Sequence, residues 1–208
     1  MNNLKLKVCG MRDRQNILDV AMLLPDYLGF IFYSASPRFV GDDVEIPNLN
    51  PSIMKVGVFV QQDLKLILKK VKTYALDFVQ LHGGESAGQC AELKSAGIKI
   101  IKVFSVDDSF DFSTTKEFEP VADYFLFDTK GKWYGGNSFP FNWEKLDEYN
   151  QKIPFFLSGG LDEQNVSLIS ELKNMNLHAI DLNSRVEIRP GLKDLTRIEK
   201  IMDVRREI

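Results

Sequence analysis

Eight short runs of apolar, β-branched or aromatic residues recur along the chain, and stretches of helical period lie between most of them. The runs fall at 4–8, 27–32, 54–60, 77–81, 99–104, 124–127, 154–157 and 179–182. Helical spacing predicts helices over 13–24, 63–74, 86–96, 143–149, 162–172 and 194–205, with Asp13, Asp63, Ser86 and Asp194 as N-caps. The segments after the second and fifth strands are rich in Pro, Asp and Asn, so their crossovers are expected to be short or irregular. Strand–helix alternation of this kind implies a parallel sheet with right-handed crossovers. No linker or charge block divides the chain. Eight units in 208 residues favour a single (β/α)8 TIM barrel domain over residues 1–208. An open, doubly wound sheet is the alternative.

Alternation along the strands says which groups such a barrel would enclose. Leu4, Leu6 and Val8 share one face of the first strand, and Lys5, Lys7 and Cys9 share the other. On the fourth strand Val79 and Leu81 oppose Gln80 and His82. On the sixth, Phe125 and Phe127 oppose Tyr124, Leu126 and Asp128. On the eighth, Ile180 and Leu182 oppose Asp181 and Asn183. With the apolar faces under the helices, Lys7, Cys9, Gln80, His82, Asp128, Asp181 and Asn183 converge inside. A barrel interior is ordinarily filled by branched aliphatics, so convergent polar groups mark a ligand pocket. Cys9 and Asp128 each end a strand-like run, and a thiol and a carboxyl at strand tips can serve as base and acid for moving protons.

Composition narrows the possibilities. The formal net charge of -3 supplies no basic field for nucleic acid, and no membrane-length apolar run or signal-type segment is present. A reduced, cytoplasmic protein is expected. Cys9 and Cys90 are far apart and lack metal-ligand spacing, so neither a zinc site nor a disulfide framework is suggested. Cys90 falls on a helical pattern and reads as a small core hydrophobe.

The strand-end segments, read together, resemble phosphoribosylanthranilate isomerase, a (β/α)8 enzyme family of tryptophan biosynthesis. The resemblance is carried by Lys7-Val8-Cys9-Gly10, Leu28-Gly29-Phe30-Ile31-Phe32, Ser36-Pro37-Arg38, Val56-Gly57-Val58-Phe59-Val60 and Val79-Gln80-Leu81-His82-Gly83. It continues through Phe127-Asp128-Thr129, Gly135-Gly136, Leu157-Ser158-Gly159-Gly160-Leu161, Asp181-Leu182-Asn183-Ser184 and Pro190-Gly191-Leu192-Lys193-Asp194. These segments keep the family's order over nearly the whole chain.

The resemblance implies the Amadori rearrangement of N-(5-phosphoribosyl)anthranilate, an aminoaldose-to-aminoketose isomerisation that needs no cofactor and no metal. It makes Cys9 the general base, Asp128 the general acid and Arg38 the holder of the anthranilate carboxylate. It assigns the phosphate to the ends of strands seven and eight, with Gly159, Gly160, Asn183 and Ser184. His82 and Asp181 are further substrate-binding candidates. Lys7, on the same face as Cys9, is expected to favour its thiolate. The implied partner is the small phosphosugar-anthranilate substrate, with neither nucleic acid nor membrane, and the protein is expected to be a monomer or homodimer. Two departures stand out: Asn137-Ser138 where the family usually has Thr-Gly, and Arg185 where it usually has Gly. The rival readings are another phosphosugar isomerase or epimerase barrel and a catalytically silent barrel that binds a phosphorylated ligand.

Overall fold

The computed structural model describes residues 4–129 and 143–207. The Gly135-Gly136 and Asn137-Ser138 segment lies outside them. Eight parallel strands close into one barrel in chain order. They are β1 (Lys5–Val8), β2 (Tyr27–Ile31), β3 (Met54–Phe59), β4 (Phe78–Leu81), β5 (Lys99–Val106), β6 (Tyr124–Thr129), β7 (Phe155–Leu157) and β8 (Leu177–Leu182). The closed barrel removes the doubly wound alternative. Closure sets β1 against β8 with Lys7 opposite Asp181. No helix among the described residues is long and apolar enough to cross a membrane.

Helices α1 (Arg14–Met22), α2 (Leu64–Tyr74), α3 (Ala87–Ser95) and α4 (Leu195–Glu207) cover the outside. Asp13 and Asp63 cap α1 and α2 by accepting backbone N–H groups, and Ser86 with Gln89 forms a capping box on α3. Asp194 accepts the Arg197 N–H at the start of α4.

No helix follows β2, in line with the irregular crossover expected there. The irregular crossovers extend further than the sequence suggests. After β5, β6 and β7 the chain forms 3-10 turns, Phe112–Phe118, Trp143–Glu148 and Val166–Leu172, in place of the α-helices expected over 143–149 and 162–172. The buried residues supply a reason. Phe112, Thr115 and Phe118, and likewise Val166, Ile169 and Leu172, recur at intervals of three, which lines one face of a three-residue turn. A short antiparallel hairpin, β9 (Glu187–Arg189) and β10 (Leu192–Lys193), follows β8.

Strand parity sorts the core as expected. Leu6, Val8, Val79, Leu81, Phe125, Phe127, Ile180 and Leu182 pack in one cluster with Ile17, Ile67, Leu93 and Ile198 of the helices. Inside the barrel a separate cluster contains Tyr27, Val56, Phe78, Ile101, Leu126 and Phe156. His178 lies against this plug, its Nε2 2.7 Å from the Tyr27 hydroxyl and its ring tilted by 34° against that of Tyr124. The apolar plug fills the N-terminal end of the barrel and leaves the polar positions at the C-terminal end.

Candidate active site

A cavity of about 440 Å³ opens above that plug, at the strands' C-terminal ends. This is the end at which barrels of this kind carry their chemistry. Cys9, Arg38, His82, Asp128, Asp181 and Asn183 all line it, so six of the expected residues come together from five parts of the chain. The facing wall contains Ile31, Tyr33, Val58 and Val60, an apolar surface suited to an aryl ring.

Cys9 follows β1 directly, and its N–H donates to the Leu182 carbonyl at 2.8 Å, tying it to β8. The residue is buried. Its thiol has room because residue 29 is glycine: a Cβ there would sit 2.7 Å from the Cys9 Sγ. Two residues back on the same face, Lys7 is wholly enclosed, and its Nζ donates to both Asp181 carboxylate oxygens at 2.9 Å. Burial by itself pulls the Lys7 pKa down, but Asp181 and Cys9 outweigh it and hold the ammonium above the ordinary lysine range.

Burial pushes the Cys9 thiol up, and the Asp181 carboxylate adds to the rise. Lys7 and Lys193 pull it back without cancelling it. The expectation that Lys7 promotes the thiolate therefore has the right sign but not the net result. The lysine's charge is shared with Asp181, and the resting side chain is a thiol.

Across the cavity, Asp128 near the end of β6 lies 3.5 Å from His82 Nε2, a charge-contact distance longer than a good hydrogen bond. The Gln80 amide nitrogen is 3.3 Å from His82 Nδ1. A Gln80 N–H donated to Nδ1 leaves the imidazole hydrogen on Nε2, directed at Asp128. The Gln80 Oε1 is buried and has no hydrogen-bond partner among the described residues. In a lined cavity such an acceptor suits a donor on a ligand.

Arg38 sits in the loop after β2, and its N–H donates to Ser36 Oγ. A loop arginine on its own reads as a surface group, yet this one is buried. Glu187 of the hairpin takes its Nε at 3.0 Å and its Nη2 at 2.7 Å. Nη1 has no hydrogen-bond partner among the described residues.

At the end of β7 Ser158 lines the cavity, whereas the expected Gly159, Gly160 and Ser184 do not. Gly159 and Gly160 both have positive φ, 98° and 73°. Their N–H groups have no protein partner among the described residues. Asn183 lines the cavity too, but its Oδ1 already accepts from Lys193 at 2.9 Å. Asp181 likewise spends its carboxylate on Lys7 first. Arg185 has no left-handed backbone strain, and its carbonyl accepts from Arg197.

Glu187 was absent from the sequence candidates, and Lys193 figured only within a matched segment. The one local signal for them is the Pro190-Gly191 turn that folds their strands together.

Residues 6–204 match the family model described as N-(5'phosphoribosyl)anthranilate (PRA) isomerase. A protein named N-(5'-phosphoribosyl)anthranilate isomerase from Parabacteroides distasonis is 42% identical over 203 residues, 95% of this chain and 91% of its own. Its namesake from Phocaeicola vulgatus is 43% identical over 189 residues, 91% of each chain. The crystal structure of phosphoribosyl anthranilate isomerase from Thermotoga maritima has a TM-score of 0.85 at 29% identity, covering 99% of this chain and 100% of that one. A phosphoribosyl anthranilate isomerase crystallised with reduced 1-(o-carboxyphenylamino)-1-deoxyribulose 5-phosphate has a TM-score of 0.82 at 26% identity, with 99% and 100% coverage.

Proposed function

The chain belongs to the N-(5'-phosphoribosyl)anthranilate isomerase family, and from that membership we propose how its own residues perform the reaction. The reaction is the Amadori rearrangement of N-(5-phosphoribosyl)anthranilate to 1-(2-carboxyphenylamino)-1-deoxyribulose 5-phosphate in tryptophan biosynthesis. Asp128, as general acid, gives its proton to the furanose ring oxygen. The bond from that oxygen to C1 breaks, the anilino nitrogen's lone pair moves in, and a protonated Schiff base forms. Cys9, as general base, removes the C2 proton, and the electron pair shifts toward the cationic nitrogen to give an enolamine. Tautomerisation then yields the C2 ketone. Both halves are proton transfers, so the chemistry calls for no cofactor.

A free thiol has a pKa of about 8.5. The upward shift of Cys9 makes its thiolate scarcer near neutrality but more basic once formed, which suits a carbon acid. The iminium charge developing beside it favours that thiolate further. Arg38 takes the anthranilate carboxylate, whose aryl ring lies on Ile31, Tyr33 and Val58. The phosphate sits at the ends of β7 and β8, on the N–H groups of Gly159 and Gly160 with Asn183 and Ser184. The working unit is one barrel domain over residues 1–208, cytoplasmic, a monomer or homodimer.

The observation that carries this reading is the pairing of one thiol and one carboxyl, from β1 and β6, across one cavity that also holds a guanidinium and an apolar wall. Turnover of substrate generated in situ by the purified protein is the test. A folded protein that leaves the substrate to spontaneous hydrolysis would refute the assignment.

A further inference from the structure

We infer that Glu187, held by Lys193, is a positioning residue that turns the Arg38 guanidinium so that its outer edge faces the cavity. The inference rests on the reading of Arg38 as the carboxylate holder.

Arg38 and Glu187 are 149 residues apart, on the loop after β2 and the hairpin after β8. Gly10 lies beside the pair, against the Arg38 stem and Asn183. It has φ 75°, and a Cβ on it would fall 2.8 Å from the Arg38 Cδ and 2.7 Å from the Asn183 Oδ1. A side chain at position 10 would thus displace the arginine stem and the asparagine together, and glycine lets the two elements close on one another.

The contact is side-on. Glu187 occupies the Nε/Nη2 edge. A guanidinium presents five N–H donors in one plane. With this edge taken, the Nη1 N–H groups and the outer N–H of Nη2 remain, and they form the end-on edge that accepts a second carboxylate in bidentate fashion. An arginine stem has many rotamers, and a fixed carboxylate beside it removes most of them before the ligand arrives.

An Arg–Glu pair alone has no net charge to offer an anion. Lys193 corrects this. Its Nζ is buried and donates to Glu187 Oε1 at 2.8 Å, to Asn183 Oδ1 at 2.9 Å and to the Asn183 carbonyl at 3.1 Å. The three side chains together carry one net positive charge inside the barrel mouth, at the edge where a carboxylate would dock. Burial tends to raise the Glu187 pKa, but its bonds to Arg38 and Lys193 prevail and keep it below the usual carboxylate range. Burial takes Lys193 the other way, down to about 8, against the pull of Glu187. The clamp also ties the Asn183 end of β8 to the loop after β2, so substrate-carboxylate affinity depends on two residues with no need to touch the substrate.

The test compares two probes, the reduced 1-(o-carboxyphenylamino)-1-deoxyribulose 5-phosphate and its phenylamino counterpart lacking the carboxylate. Dissociation constants are measured for wild type, Arg38→Met, Glu187→Ala and Lys193→Met, each checked for a native melting transition. Glu187→Ala is expected to weaken the carboxylated probe by about tenfold or more, as loss of a charge-assisted contact does, and the other probe by less than about twofold. Lys193→Met should follow the same pattern more mildly. In turnover, KM should rise for Glu187→Ala with kcat nearly kept. Should Glu187→Ala fail to fold, Glu187→Gln keeps the volume but turns an amide NH2 toward one of the arginine donors, and the same selective weakening is expected. Unchanged affinity for the carboxylated probe, or equal weakening of both probes, would overturn the inference. An Arg38→Met variant that binds the carboxylated probe as wild type does would instead refute the role of Arg38 itself.

Discussion

Lys7 and Asp181 face each other across the seam where β1 meets β8, and the lysine reaches both carboxylate oxygens at 2.9 Å just below Cys9. The two charges act on the thiol with opposite sign. Asp181→Asn removes an anion and frees Lys7 for Cys9, so the alkylation profile of Cys9 should move to lower pH. Lys7→Met removes the cation, so the profile should move to higher pH. Iodoacetamide rates from pH 6 to 10 on folded protein measure both. Shifts in the same direction would show that the pair acts on Cys9 through packing. Each variant also breaks a buried ion pair and should lose about 3–5 kcal/mol of stability.

Gly29 is the second point of control over the thiol. An added Cβ would approach Cys9 Sγ to 2.7 Å and Cys9 Cα to 3.1 Å, and the backbone atom cannot swing away. Gly29→Ala should cost about 1–3 kcal/mol of stability through overpacking. It should also lower kcat by about tenfold or more, since small misplacements of a reacting group are expensive. Full activity at reduced stability would mean that the position of the thiol is not critical.

The Arg185 departure should be nearly silent. The residue has no positive φ for glycine to relieve, and its carbonyl is held by Arg197 at 2.8 Å. Arg185→Gly should therefore leave affinity for the reduced product analogue almost unchanged at low and high salt. Weaker binding with a smaller salt dependence would make Arg185 a phosphate ligand.

Tyr149 predicts a base-sensitive step in stability. The residue is buried, its hydroxyl donates to the Ile153 carbonyl at 2.6 Å, and burial pushes its pKa up to about 12. The native state keeps the phenolic proton where the unfolded chain, titrating near 10, has lost it. Its contribution is therefore complete below about pH 10 and is lost as pH rises toward 12, at a slope of at most about 1.4 kcal/mol per pH unit. Urea unfolding between pH 9 and 11 should fall more steeply for wild type than for Tyr149→Phe, and parallel curves would contradict this.

Much of this fold was legible in the sequence, because a barrel strand announces itself locally. The parity of Leu6 and Val8 against Lys7 and Cys9 places those side chains correctly, as does that of Val79 and Leu81 against Gln80 and His82. The helices were harder. Val166, Ile169 and Leu172 satisfy an α-helical pattern as readily as a 3-10 one, and only tertiary burial distinguishes them. The site divides in the same way. Cys9 and Asp128 stand at strand ends, where chemistry is expected, and were readable. The Lys7–Asp181 pair requires the register between the first and last strands, which barrel closure sets and no local pattern contains. Glu187 and Lys193 are charged residues on a short hairpin, a context that ordinarily means a solvated surface. Their burial arises from distant parts of the chain closing on them: Arg38 of the loop after β2 covers Glu187, and Asn183 together with Asn16 of α1 holds Lys193.

The central claim is that Cys9 and Asp128 move the two protons. The most direct test is kcat for Cys9→Ser and Asp128→Asn on freshly generated N-(5-phosphoribosyl)anthranilate, alongside each variant's affinity for the reduced product analogue. Serine keeps the shape of the thiol but is far less acidic, and asparagine keeps the shape of the acid but lacks its proton. The predicted result is a loss of kcat by orders of magnitude in each variant with analogue affinity close to wild type. Near-normal kcat in either would contradict the account and remove that residue from the reaction.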